Sequence, residues 1–303
     1  MLFWRPRFWP AWVFVAWLRL TALLPWRFAI KVHKALGRVA GRLRPRRRMI
    51  VRRNIEICLP HLAPREVEAL CSEHFANIGA FLAELAISWF CDPRQLAGLM
   101  RIEGREHLDA AVARGKGVLL FSGHFTTLEI CVPVVKGLVP LYAFMFRRRN
   151  NPLLNELQRR YRRKAAHVSV GNTDVRSLMR ILRKNATAWY ASDQVRIGTG
   201  GVLLPFFGEP AMTSTAASRL ARVTGVAVIP LFFCRLADDS GYLLRFQAPL
   251  DDFPTSDAAH DTARLTAILE DFVRECPAQY FWIHRKFKGR PQDLPQAYGA
   301  SES

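Results

Sequence analysis

Short apolar runs alternate with longer amphipathic stretches through most of this chain. Four runs have the length and composition of buried strands: 117–121, 138–146, 187–191 and 226–233. Helix-like stretches lie between them at 152–164, 174–184 and 213–224, and apolar residues also recur at helical spacing from about residue 62 to residue 90. Strands that alternate with helices predict an α/β fold with a mostly parallel sheet flanked by helices.

The first 60 residues differ from the rest in composition. They contain fourteen Lys and Arg, one acid and five of the eight tryptophans, around a mostly apolar segment at residues 8–26. That segment is marginal in length for crossing a bilayer, which takes about 20 apolar residues. Tryptophan and arginine around an apolar stretch are typical of a membrane interface. We therefore expect a membrane anchor within residues 1–45, either spanning the bilayer or lying in its interface, and a second domain over 46–303. An amphipathic helix packed on that domain is the alternative.

The charge balance indicates a polyanionic partner. The formal net charge is +19, which suits an anionic membrane, a phosphorylated substrate or nucleic acid. The basic run at residues 42–48 follows the apolar segment and is expected to face anionic lipid headgroups on the cytoplasmic side. Nucleic acid is the less favoured partner, since its binders rarely need such an apolar segment. The six cysteines form no C-x-x-C pair and are expected to be reduced and mostly buried.

The run at 117–121 ends in Ser122-Gly123-His124, and Glu129 follows five residues after the histidine. In an open α/β sheet, ligands bind beyond the carboxyl ends of the strands, so this turn is expected to expose the imidazole at a site. Glu129 reaches His124 only if the histidine lies in the turn and a helix beginning after it folds the glutamate back. A carboxylate on one imidazole nitrogen would fix the tautomer of a general base. A structural histidine is the alternative, and a zinc site is less favoured because no third ligand is evident.

Several blocks, in order, carry a resemblance to a known family. Gly123-His124-Phe125 with Glu129 resembles the H-x4-D/E motif of glycerolipid acyltransferases, in the form used by the late acyltransferases of lipid A biosynthesis (the lauroyl and myristoyl type). Five further blocks are similar to that family over nearly the whole chain: RRNIEICLP (52–60), FRRRNNPLL (146–154), WYASDQ (189–194), GGVLLPFFGEPA (200–211) and QYFWIHRKFKGRP (279–291). Phe146 stands where the family usually has tyrosine.

The resemblance implies an enzyme of the bacterial inner membrane whose catalytic domain, a glycerolipid acyltransferase-like fold, faces the cytoplasm. It would move an acyl chain from acyl carrier protein to a hydroxyl of a phosphorylated glucosamine lipid, without a cofactor or a metal. His124 would be the general base and Glu129 its orienting partner, while Gly123 or neighbouring backbone N–H groups would bind the oxyanion. Arg147, Arg162 and Asp193 match positions that the family places near the substrate.

Three alternatives stay open at this level. The same chemistry would serve another acceptor, such as a lysophospholipid or a glycolipid. A basic, membrane-attached protein without catalysis is a second alternative, and plain surface or turn roles for single arginines and for Asp193 are a third. Phe206 and Phe207 are each expected to pack in the core, and His284 with Arg285 is expected to be structural.

Overall fold

A computed structural model describes residues 2–146, 150–194, 201–290, 294 and 297–298. Its helices, in chain order, are α1 (Trp9–Ala22), α2 (Trp26–Arg42), α3 (Pro45–Cys58), α4 (Pro64–Phe90), α5 (Pro93–Ala97), α6 (Arg105–Ala113), α7 (Leu128–Leu138), α8 (Pro152–Ala165), α9 (Val175–Leu182), α10 (Ala216–Thr224) and α11 (Ala258–Glu275). Its strands are β1 (Met100–Glu103), β2 (Val118–Ser122), β3 (Tyr142–Phe146), β4 (Val168–Gly171), β5 (Thr187–Ala191), β6 (Gly201–Phe206), β7 (Glu209–Ser214), β8 (Ala227–Arg235) and β9 (Tyr242–Phe246).

The central feature is a sheet in the order β1-β9-β8-β2-β5-β3-β4. All neighbouring strands in it run parallel except β8 and β9, which are antiparallel. Every residue of β2 and β8 is buried, as expected for strands covered by helices on both faces. The predicted α/β fold with a mostly parallel sheet is confirmed, and the antiparallel β9 is an addition to it.

Two predicted boundaries were wrong. The apolar run at 138–146 is strand only in its second half, because Leu138 ends α7 and β3 begins at Tyr142. The stretch at 213–224 becomes helical only from Ala216, because residues 209–214 pair with β6 in a separate two-stranded ribbon. In both cases one stretch of sequence spans parts of two adjacent elements, which periodicity alone does not separate.

The N-terminal helices pack on α4. Helix α2 lies so close to α4 that a Cβ on Gly37 would come within 2.2 Å of the Phe75 carbonyl oxygen, and one on Gly79 within 1.9 Å of the His33 carbonyl oxygen. Only glycine permits this approach of the two backbones. Leu18 of α1 is fully buried against the same helix, in a cluster with Leu85 and Ala86. Helices α1 and α2 are thereby fixed to the body of the protein, while the domain boundary at residue 45 stays a prediction.

The apolar segment at 8–26 does not form one continuous helix. Helix α1 ends at Ala22 and α2 begins at Trp26. With a rise of about 1.5 Å per residue, α1 is roughly 21 Å long, shorter than the roughly 30 Å hydrocarbon core of a bilayer. Among the helices that the structure describes, none combines the length and apolar character that crossing a membrane requires.

The C-terminal segment, residues 276–290, crosses the sheet edge where β2 ends. It makes an isolated antiparallel bridge between Tyr280 and Phe125. Asn54 of α3 donates to the carbonyl oxygens of Trp282 and His284, at 2.6 and 2.8 Å, and fixes the segment from its other side. Residues distant in the chain therefore meet above the carboxyl end of β2.

Candidate active site

Two neighbouring parallel strands place the central pair of the site. Strands β2 and β5 pair in a register that sets Ser122 opposite Ala191, the last residue of each strand. His124 and Asp193 each follow two residues later, so both lie at the carboxyl edge of the sheet. The predicted position of His124 at this edge is confirmed, and it is the position where ligands bind in such sheets.

Asp193 holds His124 by two hydrogen bonds. The imidazole Nδ1 lies 2.6 Å from Asp193 Oδ1, and the backbone N–H of His124 donates to Asp193 Oδ2 at 2.8 Å. The Asp193 side chain is 2% exposed and the His124 side chain 27% exposed. Burial alone would raise the pKa of Asp193, but the charge of His124, its two hydrogen bonds and, more weakly, Lys286 lower it to about 2.

The pair has the geometry of a general base and its orienting acid. An ionised Asp193 accepts a hydrogen bond from Nδ1–H of His124, so the neutral imidazole presents Nε2 with a free lone pair. Within the described part of the chain, no residue is hydrogen-bonded to Nε2 of His124. Nε2 is thus the atom able to take a proton from a bound hydroxyl, and Asp193 stabilises the imidazolium that results.

Glu129 does not contact His124 as predicted. It lies near the start of α7, and its carboxylate Oε1 pairs with Nη2 of Arg162 on α8 at 3.1 Å. Its backbone carbonyl accepts hydrogen bonds from Ser88 and Tyr161, at 2.6 and 2.9 Å. The predicted His124–Glu129 pair is therefore replaced by His124–Asp193, because α7 directs the glutamate towards α8 while β5 brings Asp193 to the imidazole.

The Glu129–Arg162 ion pair is buried, and some of its polar atoms have no hydrogen-bond partner among the described residues. The side chains are 14% and 5% exposed. Among the described residues, Glu129 Oε2 and Arg162 Nε and Nη1 have no hydrogen-bond partner. The guanidinium lies 3.9 Å from the Phe144 ring centroid, Phe144 stacks on Trp189, and the edge of Trp189 contacts the His124 ring. Two aromatic rings thus connect the predicted arginine to the histidine.

Glycine is required at position 123 because the surrounding side chains leave no room for a Cβ atom. A Cβ there would lie 2.5 Å from Leu269 Cδ1, 3.4 Å from Tyr280 Cε2 and 3.5 Å from Asp193 Oδ2. Of the neighbouring backbone donors, the N–H of His124 is committed to Asp193 and that of Thr126 to the Gln279 carbonyl. The oxyanion role of Gly123 stays a prediction, and Arg147 lies outside the described residues.

The C-terminal segment contributes residues that the sequence did not indicate as part of the site. The His124 carbonyl accepts from the Phe281 N–H at 3.0 Å, and the His284 ring centroid lies 6.0 Å from that of His124. Gln194 Nε2 lies 2.6 Å from His284 Nε2. Burial lowers the pKa of His284 to about 4, so this second imidazole is neutral at pH 7. The signal in the sequence was the block at 279–291, which resembles the family, but its histidine was expected to be structural.

The remaining expectations are met in part. Phe206 is fully buried as predicted, whereas Phe207 is half-buried at a positive φ of 53° and its N–H donates to Glu270. The cysteines are free thiols, and all are buried except Cys91 and Cys276, which are partly exposed. The described residues contain no group of three or more metal-ligating side chains.

Comparison with known proteins identifies the family of the chain. The model of the bacterial lipid A biosynthesis acyltransferase family matches residues 2–289. The chain is 31% identical to the lipid A biosynthesis lauroyltransferase of Escherichia coli, over 97% of this chain and 96% of that protein. It is 31% identical to the palmitoleoyltransferase of the same organism, covering 95% and 94%, and 28% identical to the myristoyltransferase, covering 97% and 91%.

Among solved structures, the 1-acyl-sn-glycerophosphate acyltransferase of Thermotoga maritima aligns over 82% of this chain and 99% of its own. The TM-score of 0.41 and the identity of 16% are too low to support an inference from it. The family match and the relatives cover nearly the whole chain. The chain therefore belongs to the bacterial lipid A biosynthesis acyltransferase family and is an enzyme of that family.

Proposed function

We propose that this enzyme transfers a fatty acyl group from the thioester of acyl carrier protein to a hydroxyl of a phosphorylated glucosamine lipid, a lipid A precursor. The observation that supports this most directly is the hydrogen bond of 2.6 Å between His124 Nδ1 and Asp193 Oδ1. It leaves Nε2 of His124, the histidine of the family's motif, to act as the base. The relatives named above are lipid A acyltransferases by their descriptions.

The reaction follows from what the pair can do. His124 Nε2 takes the proton of the acceptor hydroxyl as its oxygen attacks the thioester carbonyl carbon. A tetrahedral intermediate forms with its negative charge on the former carbonyl oxygen. The carbon–sulfur bond then breaks, and the imidazolium returns the proton to the departing thiolate. The products are an ester and a free thiol, with no covalent bond to the enzyme. Asp193 orients the ring and stabilises its charged form throughout.

Positive charge near the site suits an acceptor that carries phosphates. Arg162 keeps two nitrogens without protein partners, and the exposed Arg47 of α3 is close enough to lower the pKa of His284 electrostatically. Guanidinium groups bind phosphate oxygens in a bidentate manner. Acyl carrier protein is acidic, so the basic surface around the site is also suited to docking it.

A second part of the proposal concerns the membrane. The outer face of α1 and α2, together with the turn between them, exposes many large apolar side chains, including Trp9 at 60%, Leu23 at 81% and Phe28 at 54%. Arginines are interspersed with them, Arg19 and Arg27 among those that are exposed. Exposed tryptophan beside arginine is the composition of a helix that lies in an anionic interface. We place these two helices on the cytoplasmic face of the bacterial inner membrane.

Mass spectrometry of the acceptor tests the reaction. Purified enzyme is incubated with mixed acyl carrier protein thioesters and a tetraacyl lipid A precursor, with a lysophospholipid in a parallel reaction. Wild type should add one acyl mass to the lipid A precursor, His124→Ala should not, and His260→Ala, an exposed histidine on α11, should behave as wild type. Acylation of the lysophospholipid alone would contradict the proposed acceptor, and equal transfer by His124→Ala would contradict the proposed base.

Vesicle flotation tests the membrane part. The full chain should float with vesicles that contain anionic phospholipid, and the double variant Trp9→Ser, Leu23→Ser should float much less while its unfolding temperature is unchanged. Trp89→Phe, a substitution at a half-buried residue of α4, is the control. Equal flotation of the double variant would exclude α1 and α2 as the contact.

A further inference from the structure

His284 is a half-buried histidine of the C-terminal segment that lies beside the base. Its ring centroid is 6.0 Å from that of His124, and the two ring planes make an angle of 61°. The main chain is held on both sides of this contact. Asn54 of α3 donates to the His284 carbonyl at 2.8 Å, and the Phe281 N–H donates to the His124 carbonyl at 3.0 Å. The positions of the two imidazoles are therefore fixed relative to each other by backbone contacts.

One nitrogen of the His284 ring is engaged and the other is free. The side-chain Nε2 of Gln194 lies 2.6 Å from Nε2 of His284. An amide nitrogen only donates, so the neutral ring accepts at Nε2 and carries its proton on Nδ1. Within the part of the chain that the structure describes, no residue is hydrogen-bonded to this Nδ1–H, and Nδ1 is not one of the buried unpartnered atoms. His284 thus offers an accessible, uncommitted donor next to the base.

The acyl transfer proposed above needs such a donor. Attack on the thioester places negative charge on the former carbonyl oxygen, and hydrogen bonds to that oxygen stabilise the transition state. Two backbone donors after β2 are already used, since the His124 N–H bonds to Asp193 and the Thr126 N–H to the Gln279 carbonyl. A side-chain donor beside His124 is therefore suited to the oxyanion.

We propose that His284 is a second catalytic histidine, whose Nδ1–H donates a hydrogen bond to the oxyanion while His124 takes the proton of the acceptor hydroxyl. This inference rests on the proposed function, because it concerns the transition state of that reaction. A hydrogen bond joins a ring nitrogen to an oxygen about 2.8 Å away. Two imidazoles with centroids 6.0 Å apart can thus reach two oxygens on one carbon, the attacking oxygen and the oxyanion.

The environments of the two histidines suit these separate roles. His124 bonds to the carboxylate of Asp193, which stabilises the charged ring that forms when it takes a proton. His284 bonds to a neutral amide, and burial is the main cause that lowers its pKa to about 4. A neutral imidazole donates to the oxyanion without exchanging a proton near pH 7, a role that histidines with a lowered pKa have in other enzymes.

Two substitutions by amides separate the donor at Nδ1 from the rest of the ring. In His284→Asn the amide nitrogen can take the place of Nδ1, whereas in His284→Gln the amide group lies near the place of Nε2 and the Nδ1 donor is lost. We expect His284→Gln to lower kcat by roughly 10²-fold, the effect of removing one oxyanion donor, with little change in the KM of either substrate. His284→Asn should retain much more of kcat. His61→Gln, at an exposed histidine between α3 and α4, should behave as wild type.

Infrared spectroscopy of the bound donor gives a readout that needs no turnover. The probe is an acyl carrier protein thioester with a heavy carbon isotope at the acyl carbonyl, bound to the enzyme without acceptor. A hydrogen bond from His284 polarises this carbonyl and lowers its stretching frequency. The band should therefore move to higher frequency in His284→Gln and stay near its wild-type position in His284→Asn and His61→Gln.

Gln194→Leu provides a second variant if His284→Gln does not fold. It leaves His284 in place but removes the donor that fixes the tautomer, so it should change kcat and the carbonyl band in the same direction by less. Equal kcat in folded His284→Gln and His284→Asn, with the carbonyl band at its wild-type position in both, would overturn the inference. Absence of acyl transfer by wild type, with the band shifted as expected in His284→Gln, would count against the proposed function alone.

Discussion

Asp193 forms two hydrogen bonds with His124: one carboxylate oxygen bonds to the imidazole Nδ1, and the other accepts from the backbone N–H of the same residue. Two bonds to one residue fix both the position of the turn and the rotation of the ring. The acid that orients the base is thus contributed by the end of β5 and not by the helix that follows the histidine.

Asp193→Asn should lower kcat/KM by roughly 10²- to 10⁴-fold, because an amide favours the wrong imidazole tautomer and does not stabilise the imidazolium. Steady-state acyl transfer with purified variants measures this. Glu129→Gln should lower the rate less, since that carboxylate pairs with Arg162. A larger loss in Glu129→Gln than in Asp193→Asn would show that the acid is assigned to the wrong residue.

Arg162→Met should lower the free energy of unfolding by about 3 kcal/mol, because it leaves the buried carboxylate of Glu129 without its cation. The double variant Arg162→Met, Glu129→Gln should be more stable than the single arginine variant. Urea titration of both proteins and of Glu129→Gln gives the coupling energy. Strictly additive effects would mean that the two charges do not depend on each other.

Gly123→Ala should lower kcat/KM by roughly 10²-fold, the effect expected when a catalytic group shifts by about 1 Å. The new methyl group would lie 2.5 Å from Leu269 Cδ1, so the His124 turn or Leu269 must move. Adding Leu269→Val removes that contact and should restore much of the activity. Leu269→Val alone should cost about 1 kcal/mol of stability with little loss of rate. If the double variant is no better than Gly123→Ala, crowding by Leu269 is not the reason for glycine.

The protein should lose stability as the pH falls from 6.5 towards 4, in part through His74. Burial lowers the pKa of this fully buried histidine to about 4, so the unfolded chain takes up a proton there before the folded protein does. Its contribution is complete above pH 6.5 and declines by at most roughly 3 kcal/mol at pH 4. His284, whose pKa is also lowered to about 4, acts in the same direction.

The variant His74→Asn keeps a donor for the Ala278 carbonyl and removes the titrating group. Chemical denaturation between pH 4 and pH 8 should show a smaller acid-side decline for the variant, with a constant difference between the two proteins above pH 7. Parallel curves over the whole range would show that His74 does not contribute to the decline.

Local pattern was sufficient for three of the seven strands of the central sheet. The runs at 117–121, 187–191 and 226–233 became β2, β5 and β8 with boundaries that differ by at most two residues, because a buried strand is recognisable from its own composition. The turn at His124 was predictable for the same reason. The run at 138–146 was misread because the end of α7 and the start of β3 are both apolar, and composition does not mark the change of element.

The amino-acid sequence by itself determined the α/β class, the place of His124 at the end of a buried strand and the family to which the chain belongs, since each depends on local pattern or on ordered motifs. Only the tertiary structure decided which acid meets the imidazole. Asp193 is 69 positions from His124 in the chain, and the register of β2 against β5 brings them together. The C-terminal segment reaches the same place through Phe281, whose N–H donates to the His124 carbonyl. Contacts of this kind depend on strand register and helix direction, which no short stretch of sequence encodes.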